Sequence, residues 1–322
     1  MTISRLEKLV DRMRDTYERG PGINDHHDAL PERESVAKVC HRVLSILFPG
    51  YFTADRISKD ELDTHTMSQL MDLQALLLDQ IARAQRYSAR IAGKPTPSHL
   101  AEHSRAQVHE LMDHLGDVRE LVSSDVEAAF KNDPAALDRE TIVLSYPSIE
   151  ALAVQRFAHC LYRASVPILP RMMTEVAHSH TGIDIHPGAA IGDSFFIDHG
   201  TGVVIGETCT IGKHCVLYHG VTLGAWNPIG AKDENGDLKR GSSNKRHPDL
   251  EDKVTVYPGA TILGGDTKIG HHSVIGGNVW LTHSVEPYTL VTIKDPELMI
   301  RKRKVVPSVR VSARLSARHK KG

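Results

Sequence analysis

Aliphatic residues recur every six residues through the second half of this 322-residue chain. An α-helix repeats its buried face about every 3.6 residues and a half-buried strand about every 2, so neither element produces such an interval. An interval of six places one aliphatic side chain at the same point on each face of a triangular parallel β-solenoid. We therefore predict a left-handed parallel β-helix. The recurring residues are Ile185, Ile191, Ile197, Ile205, Ile211, Leu217, Leu223, Leu250, Val256, Ile262, Ile269, Ile275 and Leu281.

Glycine supports this prediction, because it directly follows many of the recurring residues, where the chain has to turn a tight corner. A glycine-rich β-sandwich is the alternative, but it predicts strands of variable length and alternating polarity rather than a constant interval. The repeat therefore favours the solenoid. These glycines are Gly192, Gly206, Gly212, Gly224, Gly270 and Gly276.

The first half of the chain has apolar residues at helical spacing, such as Leu70, Leu73, Leu77 and Ile81, which predicts a helical region before the solenoid. A segment rich in glycine and proline at 93–99 interrupts it. We therefore predict an α+β protein with four parts. They are a helical N-terminal extension (1–95), a helical domain (96–180), the β-helix (181–290, with a loop excursion at 226–247) and a basic C-terminal tail (291–322).

The composition excludes several classes of protein. With 40% hydrophobic and 25% charged residues the chain is expected to be globular, and it has neither a signal-peptide pattern nor an apolar run long enough to span a membrane. The net charge is -1, but residues 300–322 contain nine basic and no acidic residues. A solvated terminus explains this cluster of basic residues better than nucleic-acid binding does. The four cysteines form no paired motif. We expect a cytoplasmic protein without a membrane or nucleic-acid partner.

The six-residue interval fails at three places, and two of them hold histidine beside a charged residue. Ile205 follows Ile197 by eight residues, around Asp198 and His199. Asp184 lies 15 residues before His199, less than one turn of such a coil, so the two side chains can face each other on stacked strands about 4.8 Å apart. A carboxylate beside an imidazole can act as a general base towards an alcohol. A purely structural hydrogen bond is the alternative.

The second break runs from Leu223 to Leu250 and ends with Arg246 and His247. The planar guanidinium group of arginine suits a carboxylate, and an amino-acid substrate needs such a partner. The alternative interpretation is an arginine in a solvated loop. This break is therefore the second candidate site.

A zinc site is the strongest rival hypothesis. His214 and His219 lie five residues apart on consecutive faces, and His178 or His180 could supply a third imidazole. Three neutral imidazoles around zinc would activate water, as in solenoid enzymes of the gamma carbonic anhydrase type. With 20 histidines in the chain such spacings arise by coincidence, and we expect no metal.

Several short motifs, in this order along the chain, resemble those of the serine O-acetyltransferases, a family of hexapeptide-repeat acyltransferases. They begin at Asn132 (NDPA), Asp184 (DIHP), Asp198 (DHGTGVVIGET), Tyr218 (YHGVTLG) and Lys245 (KRHP), within residues 110–285. The resemblance implies a left-handed β-helix enzyme that transfers the acetyl group of acetyl-CoA to the hydroxyl of L-serine. The product, O-acetyl-L-serine, would serve cysteine biosynthesis.

The resemblance also implies a role for each matching residue. His199 would be the general base and Asp184 its orienting partner, with direct transfer in a ternary complex. Arg246 would bind the carboxylate of serine, and Asp133 and Asp198 would lie near the ammonium group of serine. Serine would be held by Asp133, Asp198, Arg246 and His247, and acetyl-CoA would lie at Gly224, Ala225, Pro258 and Gly276.

The resemblance further implies an assembly. It implies a trimer whose active sites form between neighbouring subunits. We therefore expect a homotrimer or a dimer of trimers. Ala225 stands where a second glycine is usual in the family. The chain ends in Lys321-Gly322 rather than the terminal isoleucine that inserts into the partner sulfhydrylase. We therefore expect no cysteine synthase complex through this tail.

Overall fold

The chain folds into helices followed by a parallel β-solenoid. The computed structural model describes residues 3–19, 30–53, 57–226, 244–294 and 301. Most of the predicted excursion at 226–247 and of the basic tail lies outside the described residues, so the expectation about a cysteine synthase complex stays a prediction. No helix in the described ranges is long and apolar enough to cross a membrane.

The described helices come first and the strands follow, as the sequence predicts. The helices are α1 (Ile3–Arg19), α2 (Arg33–Leu47), α3 (Leu62–Ile91), α4 (Leu100–Asp113), α5 (Leu115–Asn132), α6 (Arg139–Ser145), α7 (Pro147–Arg163) and α8 (Leu169–Thr181). The strands are β1 (Asp184–Ile185), β2 (Ala190–Ile191), β3 (Phe196–Asp198), β4 (Val204–Ile205), β5 (Thr210–Ile211), β6 (Val216–Tyr218), β7 (Thr222–Gly224), β8 (Asp249–Leu250), β9 (Thr255–Val256), β10 (Thr261–Leu263), β11 (Lys268–Ile269), β12 (Val274–Ile275), β13 (Trp280–Leu281) and β14 (Leu290–Val291).

Helices α2 to α8 share one hydrophobic core. Leu73, Leu77 and Ile81, from the helical pattern in the sequence, are fully buried in it. The glycine- and proline-rich segment at 93–99 forms the connection between α3 and α4. The division into two helical parts near residue 95 stays a prediction. Helix α1 is different, because none of its residues is buried.

The strands form three parallel sheets, one for each face of a triangular coil. Sheet A contains β1, β4, β7, β10 and β13, sheet B contains β2, β5, β8 and β11, and sheet C contains β3, β6, β9, β12 and β14. Each recurring aliphatic residue lies in its own strand, and all except the partly buried Ile191 are buried in the solenoid interior. The predicted α+β architecture is confirmed.

A buried ion pair joins the helical region to the first coil. Arg156 in α7 donates to both carboxylate oxygens of Asp125 in α5, at 2.7 and 2.8 Å. The same guanidinium group donates to the carbonyl oxygens of Ile191 and Gly192, while Asp125 also accepts the backbone N–H of Phe195. Because each charge is fully hydrogen-bonded, the pair can lie in the interior. The ion pair therefore fixes the backbone of residues 191–195, which leads into Asp198 and His199.

Candidate active site

The predicted site residues fall on two corners of the solenoid, one on each side of sheet A. Asp184 lies between them, on sheet A in β1. The histidine corner, which joins sheets C and A, holds Asp198, His199, His219, Pro258 and Gly276. The arginine corner, which joins sheets A and B, holds Glu207, Thr208, Gly224, Ala225, Arg246 and His247. A single chain therefore does not bring all of these residues together.

The two extra residues in the first break of the repeat form an unusual turn around His199. The carbonyl oxygen of Asp198 accepts the N–H of Gly200 at 2.7 Å, and His199 has a φ of 59°. This is a γ-turn, which is rare and strained for a residue with a side chain. A Cβ on Gly200 would lie 2.4 Å from Cδ1 of the buried Ile183, so this position requires glycine. The turn leaves the His199 side chain 73% exposed.

The structure does not form the predicted hydrogen bond between His199 and Asp184. The nearest carboxylate to His199 is that of Asp198, whose Oδ2 lies 3.7 Å from Nε2. Asp184 instead accepts a hydrogen bond of 3.0 Å from Nη1 of Arg171 in α8. Among the described residues, His199 has a second ring beside it, that of His219, with the ring centroids 5.7 Å apart. The pairing of His199 with Asp184 stays a prediction.

Two of the predicted serine-binding carboxylates face the same space at the histidine corner. Asp133 follows α5 and accepts a hydrogen bond from the hydroxyl of Tyr146, while Asp198 ends β3. Burial, together with Asp133 and Asp198, raises the pKa of Tyr146 to about 12. Burial, Tyr257 and the same two carboxylates also raise the pKa of Tyr218. Paired carboxylates of this kind suit an ammonium group. No motif in the sequence pointed to Tyr146.

At the arginine corner, a carboxylate orients Arg246. Its guanidinium group donates to Oε2 of Glu207, and the hydroxyl of Tyr162 in α7 donates to Oε1 at 2.8 Å. Burial acts to raise the pKa of Glu207, but the hydrogen bonds from Tyr162 and Arg246 outweigh it and lower this pKa. Glu207 is therefore ionised at neutral pH. It belongs to the DHGTGVVIGET motif, but no pattern in the sequence indicated its role.

His247 is the most enclosed of the predicted site residues, with 8% of its surface exposed. Its Nδ1 accepts the backbone N–H of Thr208 at 3.1 Å. Burial, and then the charge of Arg246, lower its pKa to about 4, so the ring is neutral at neutral pH and carries its proton on Nε2. A Cβ on Gly206 would lie 2.0 Å from Cδ2 of the His247 ring. This close approach explains why glycine follows the recurring residue Ile205.

The residues predicted to bind acetyl-CoA are also divided between the corners. Pro258 and Gly276 lie on consecutive coils of the histidine corner, beyond His219. Gly224 ends β7 at the arginine corner, and Ala225 follows it. Residues 227–243, which continue from this point, lie outside the described residues.

The rival zinc site is not assembled within one chain. His214 lies at the corner between sheets B and C, whereas His219 lies at the histidine corner. In the described part of the chain, Glu175, His178 and Asp184 place possible ligand atoms within 4.8 Å of one another. Arg171 forms ion pairs with both carboxylates of that group, so its guanidinium group already supplies their positive partner.

Comparison with known proteins decides the family. The chain is 45% identical over 265 residues to a protein of Synechococcus elongatus named serine acetyltransferase, plasmid, and the match covers 82% of each chain. The chain belongs to the serine acetyltransferase family. A serine acetyltransferase of Bacillus subtilis is 40% identical over 171 residues, which are 53% of this chain and 72% of the relative. No protein-family model matches the chain.

Solved serine acetyltransferases share the fold. The structure of isoform 3 from Entamoeba histolytica in complex with cysteine is similar with a TM-score of 0.68 at 31% identity, over 93% of this chain and 96% of that one. Serine acetyltransferase 1 of the same organism, in complex with L-cysteine, gives a TM-score of 0.67 at 32% identity, over 89% of this chain and 97% of the other. The resemblance seen in the motifs is confirmed over nearly the whole chain.

Proposed function

We propose that this protein transfers the acetyl group of acetyl-CoA to the hydroxyl of L-serine, giving O-acetyl-L-serine and CoA for cysteine biosynthesis. One observation carries the proposal: the two carboxylates beside an exposed His199 and the oriented guanidinium group of Arg246 match the two charges and the hydroxyl of serine. The four cysteines are free thiols, which fits a reducing cytoplasm.

His199 acts as the general base in this proposal. It removes the hydroxyl proton of serine as the oxygen attacks the thioester carbon of acetyl-CoA, and it returns that proton to the departing thiolate of CoA. Backbone amides near Gly224 stabilise the oxyanion of the tetrahedral intermediate. Asp184 orients the imidazole, while Asp133 and Asp198 hold the ammonium group.

We place each active site between two chains of a homotrimer. The base and the ammonium partners come from the histidine corner of one chain, and the carboxylate partner Arg246 with Gly224 comes from the arginine corner of the next. Contacts between two different corners repeat around a ring and close it, as in cyclic oligomers. Val204 and Trp280, which are 37% and 66% exposed on sheet A between the corners, supply apolar surface for such a contact. A dimer of trimers is compatible with this arrangement.

The release of CoA from acetyl-CoA tests the reaction. We expect release that depends on serine, with homoserine and simple sugars as competing acceptors that react much more slowly. Absence of serine-dependent release from the purified chain would refute the proposed activity. This assay does not depend on where the site lies.

Mixing two variants that are defective at different corners tests the position of the site, with activity measured at a serine concentration well below the KM of Arg246→Ala. Chains carrying His199→Ala and chains carrying Arg246→Ala are co-expressed with different tags and purified as mixed assemblies. If each site uses one corner from each of two chains, about a third of the sites in the mixed trimers are restored. Mixtures of His199→Ala with Asp133→Ala, which affect the same corner, serve as the control and stay inactive. No recovery in the first mixture would place the whole site within one chain.

A further inference from the structure

Asp133, one of the two carboxylates at the histidine corner, has a hydrogen bond on each of its oxygens. Oδ1 accepts the backbone N–H of Ala135 at 2.8 Å, which closes a turn around Pro134. Oδ2 accepts the hydroxyl of Tyr146. The backbone N–H of Asp133 caps α5 by donating to the carbonyl oxygen of Ala129. The plane of the carboxylate is therefore fixed, while each oxygen keeps a second lone pair for another donor.

Tyr146 lies at the rigid junction between α6 and α7. It is the C-cap of the first helix and the N-cap of the second. Pro147 is the first residue of α7, a position at which its fixed φ suits the start of a helix. The buried ion pair between Arg156 and Asp125 ties α7 to α5, the helix that Asp133 ends. The phenol ring therefore approaches the carboxylate from a fixed helix end.

The protonation state of Tyr146 suits this contact. Burial, and then the hydrogen bond and charge of Asp133 together with the charge of Asp198, raise the pKa of Tyr146 to about 12. The phenol is therefore protonated at neutral pH and donates its proton in the hydrogen bond to Asp133. The contact is a donor–acceptor pair, and the tyrosine adds no further negative charge to the two carboxylates.

Asp133 needs a fixed position because a second carboxylate faces the same space. The charges of Asp133 and Asp198 both act on the phenols of Tyr146 and Tyr218. Two like charges repel each other when no cation lies between them. Asp198 is held in β3, where it pairs in register with Tyr218 of β6, whereas Asp133 follows a helix end. Asp133 therefore depends on its hydrogen bonds to stay in place before a cation arrives.

We propose that Tyr146 is a positioning residue for the amino group of the acceptor substrate, because its hydroxyl holds the carboxylate of Asp133 where an ammonium group can bind beside Asp198. The role rests on the proposed function, since the cation in question is the ammonium group of serine. Tyr146 acts through Asp133 and touches neither the substrate nor the reacting atoms. Loss of its hydroxyl should therefore weaken the binding of serine and leave the chemical step nearly unchanged.

Steady-state kinetics of Tyr146→Phe make the first test. The substitution removes only the hydroxyl, and we expect the KM for serine to rise about 3- to 10-fold, with kcat and the KM for acetyl-CoA within about twofold of native. Tyr51→Phe is the control, because it changes another partly buried tyrosine of the helical core and should leave both KM values native. A purely structural tie between α5 and α7 predicts a lower melting temperature at an unchanged KM for serine, and that result would overturn the proposal.

Double variants test whether Tyr146 acts through Asp133. In an Asp133→Ala background, Tyr146→Phe should cause no further fall in kcat/KM for serine, because the hydroxyl has already lost its partner. In an Asp198→Asn background it should still cause a fall of about 3- to 10-fold. Effects that multiply in the Asp133→Ala background would contradict the proposal.

The native chain separates this role from the proposed function. Absence of serine-dependent CoA release from the native chain would refute the proposed function, and the role of Tyr146 with it. Serine-dependent release by the native chain, with the same KM for serine in Tyr146→Phe, would refute the role of Tyr146 alone.

Discussion

The histidine corner and the arginine corner are turns of one solenoid, yet they are built in opposite ways. At the histidine corner a γ-turn lifts His199 away from the coil, and its nearest carboxylate lies 3.7 Å away, beyond hydrogen-bond distance. At the arginine corner the guanidinium group of Arg246 donates a hydrogen bond to Glu207. His247 packs over Gly206, and its Nδ1 accepts the backbone N–H of Thr208. One corner leaves its histidine open to solvent, and the other holds its arginine and histidine in fixed contacts.

The difference separates the two tasks of such a site. Groups that orient a substrate act best when their positions are fixed in advance, as those of the arginine corner are. A base has to reach the proton that it removes, and its hydrogen bonds often tighten only when substrate is present. The open turn around His199 and the fixed surroundings of Arg246 are therefore what complementary halves of one active site require.

The largest expected effect is at the histidine corner. Replacing the proposed base by His199→Ala should lower kcat about 10²- to 10⁴-fold, with a smaller change in the KM for serine. The matched control is His219→Ala, which removes the neighbouring ring of the same corner and should keep most of the activity. Steady-state kinetics with both substrates make the measurement. Comparable losses in the two variants would show that the corner as a whole, and not His199, carries the chemistry.

At the arginine corner the effect should appear in binding. If Arg246 binds the serine carboxylate, Arg246→Ala removes a charge-assisted hydrogen bond worth about 1.5–3 kcal/mol, so the KM for serine should rise about 10- to 100-fold. The KM for acetyl-CoA should change little. Arg246→Lys keeps the charge but loses the planar fork and should recover only part of the affinity. A fall in kcat at an unchanged KM for serine would contradict the proposal that Arg246 binds the serine carboxylate.

The solenoid could be predicted from the sequence because its repeat is local. Each recurring aliphatic residue repeats the same strand and corner, and glycine directly follows six of them, so a pattern of six residues is enough to define the coil. The breaks in that pattern correctly marked both corners. Ile205 and Leu250 resume the coil directly after them.

The pairing of side chains could not be predicted in the same way. Asp184 lies within one coil of His199, but Arg171 of α8 reaches it from the helical region. Tyr146 and Tyr162 also reach the two corners from the helical region, and no motif marked them. Such contacts depend on how the helices dock against the first coil, which residue spacing along one chain does not encode.

The proposed roles of Asp184 and Asp198 can be distinguished by the effects of their replacement on kcat and KM. If Asp184 orients His199, Asp184→Asn should lower kcat about 10-fold at a nearly unchanged KM for serine. Asp198→Asn, which removes a charge near the ammonium group, should mainly raise that KM. The reverse pattern would assign the orienting role to Asp198, the carboxylate that lies nearest to His199 in this structure.

A smaller effect is expected from the residue that orients Arg246. Glu207→Gln keeps the shape of the side chain but weakens its hydrogen bond with the guanidinium group, and we expect a rise of about 3- to 5-fold in the KM for serine. Tyr162→Phe should act in the same direction and more weakly. Glu251→Gln is the control, since it breaks an ion pair of 2.6 Å with Lys268 elsewhere on the solenoid. An equal effect in the control would mean that Glu207 acts through stability alone.

The smallest effect concerns the burial of His247. Its folded pKa of about 4 lies below the ordinary value of 6.5, so between these values the unfolded chain binds more protons. The free energy of unfolding of the native protein should therefore fall as the pH decreases through this window. His247→Gln should fall less steeply, as measured by urea unfolding at about pH 7 and pH 5. Between about pH 7.5 and 8.5, where the ring is neutral in both states, the difference between the two proteins should stay constant. Parallel curves over the whole range would show that the arginine corner does not hold His247 in its neutral form.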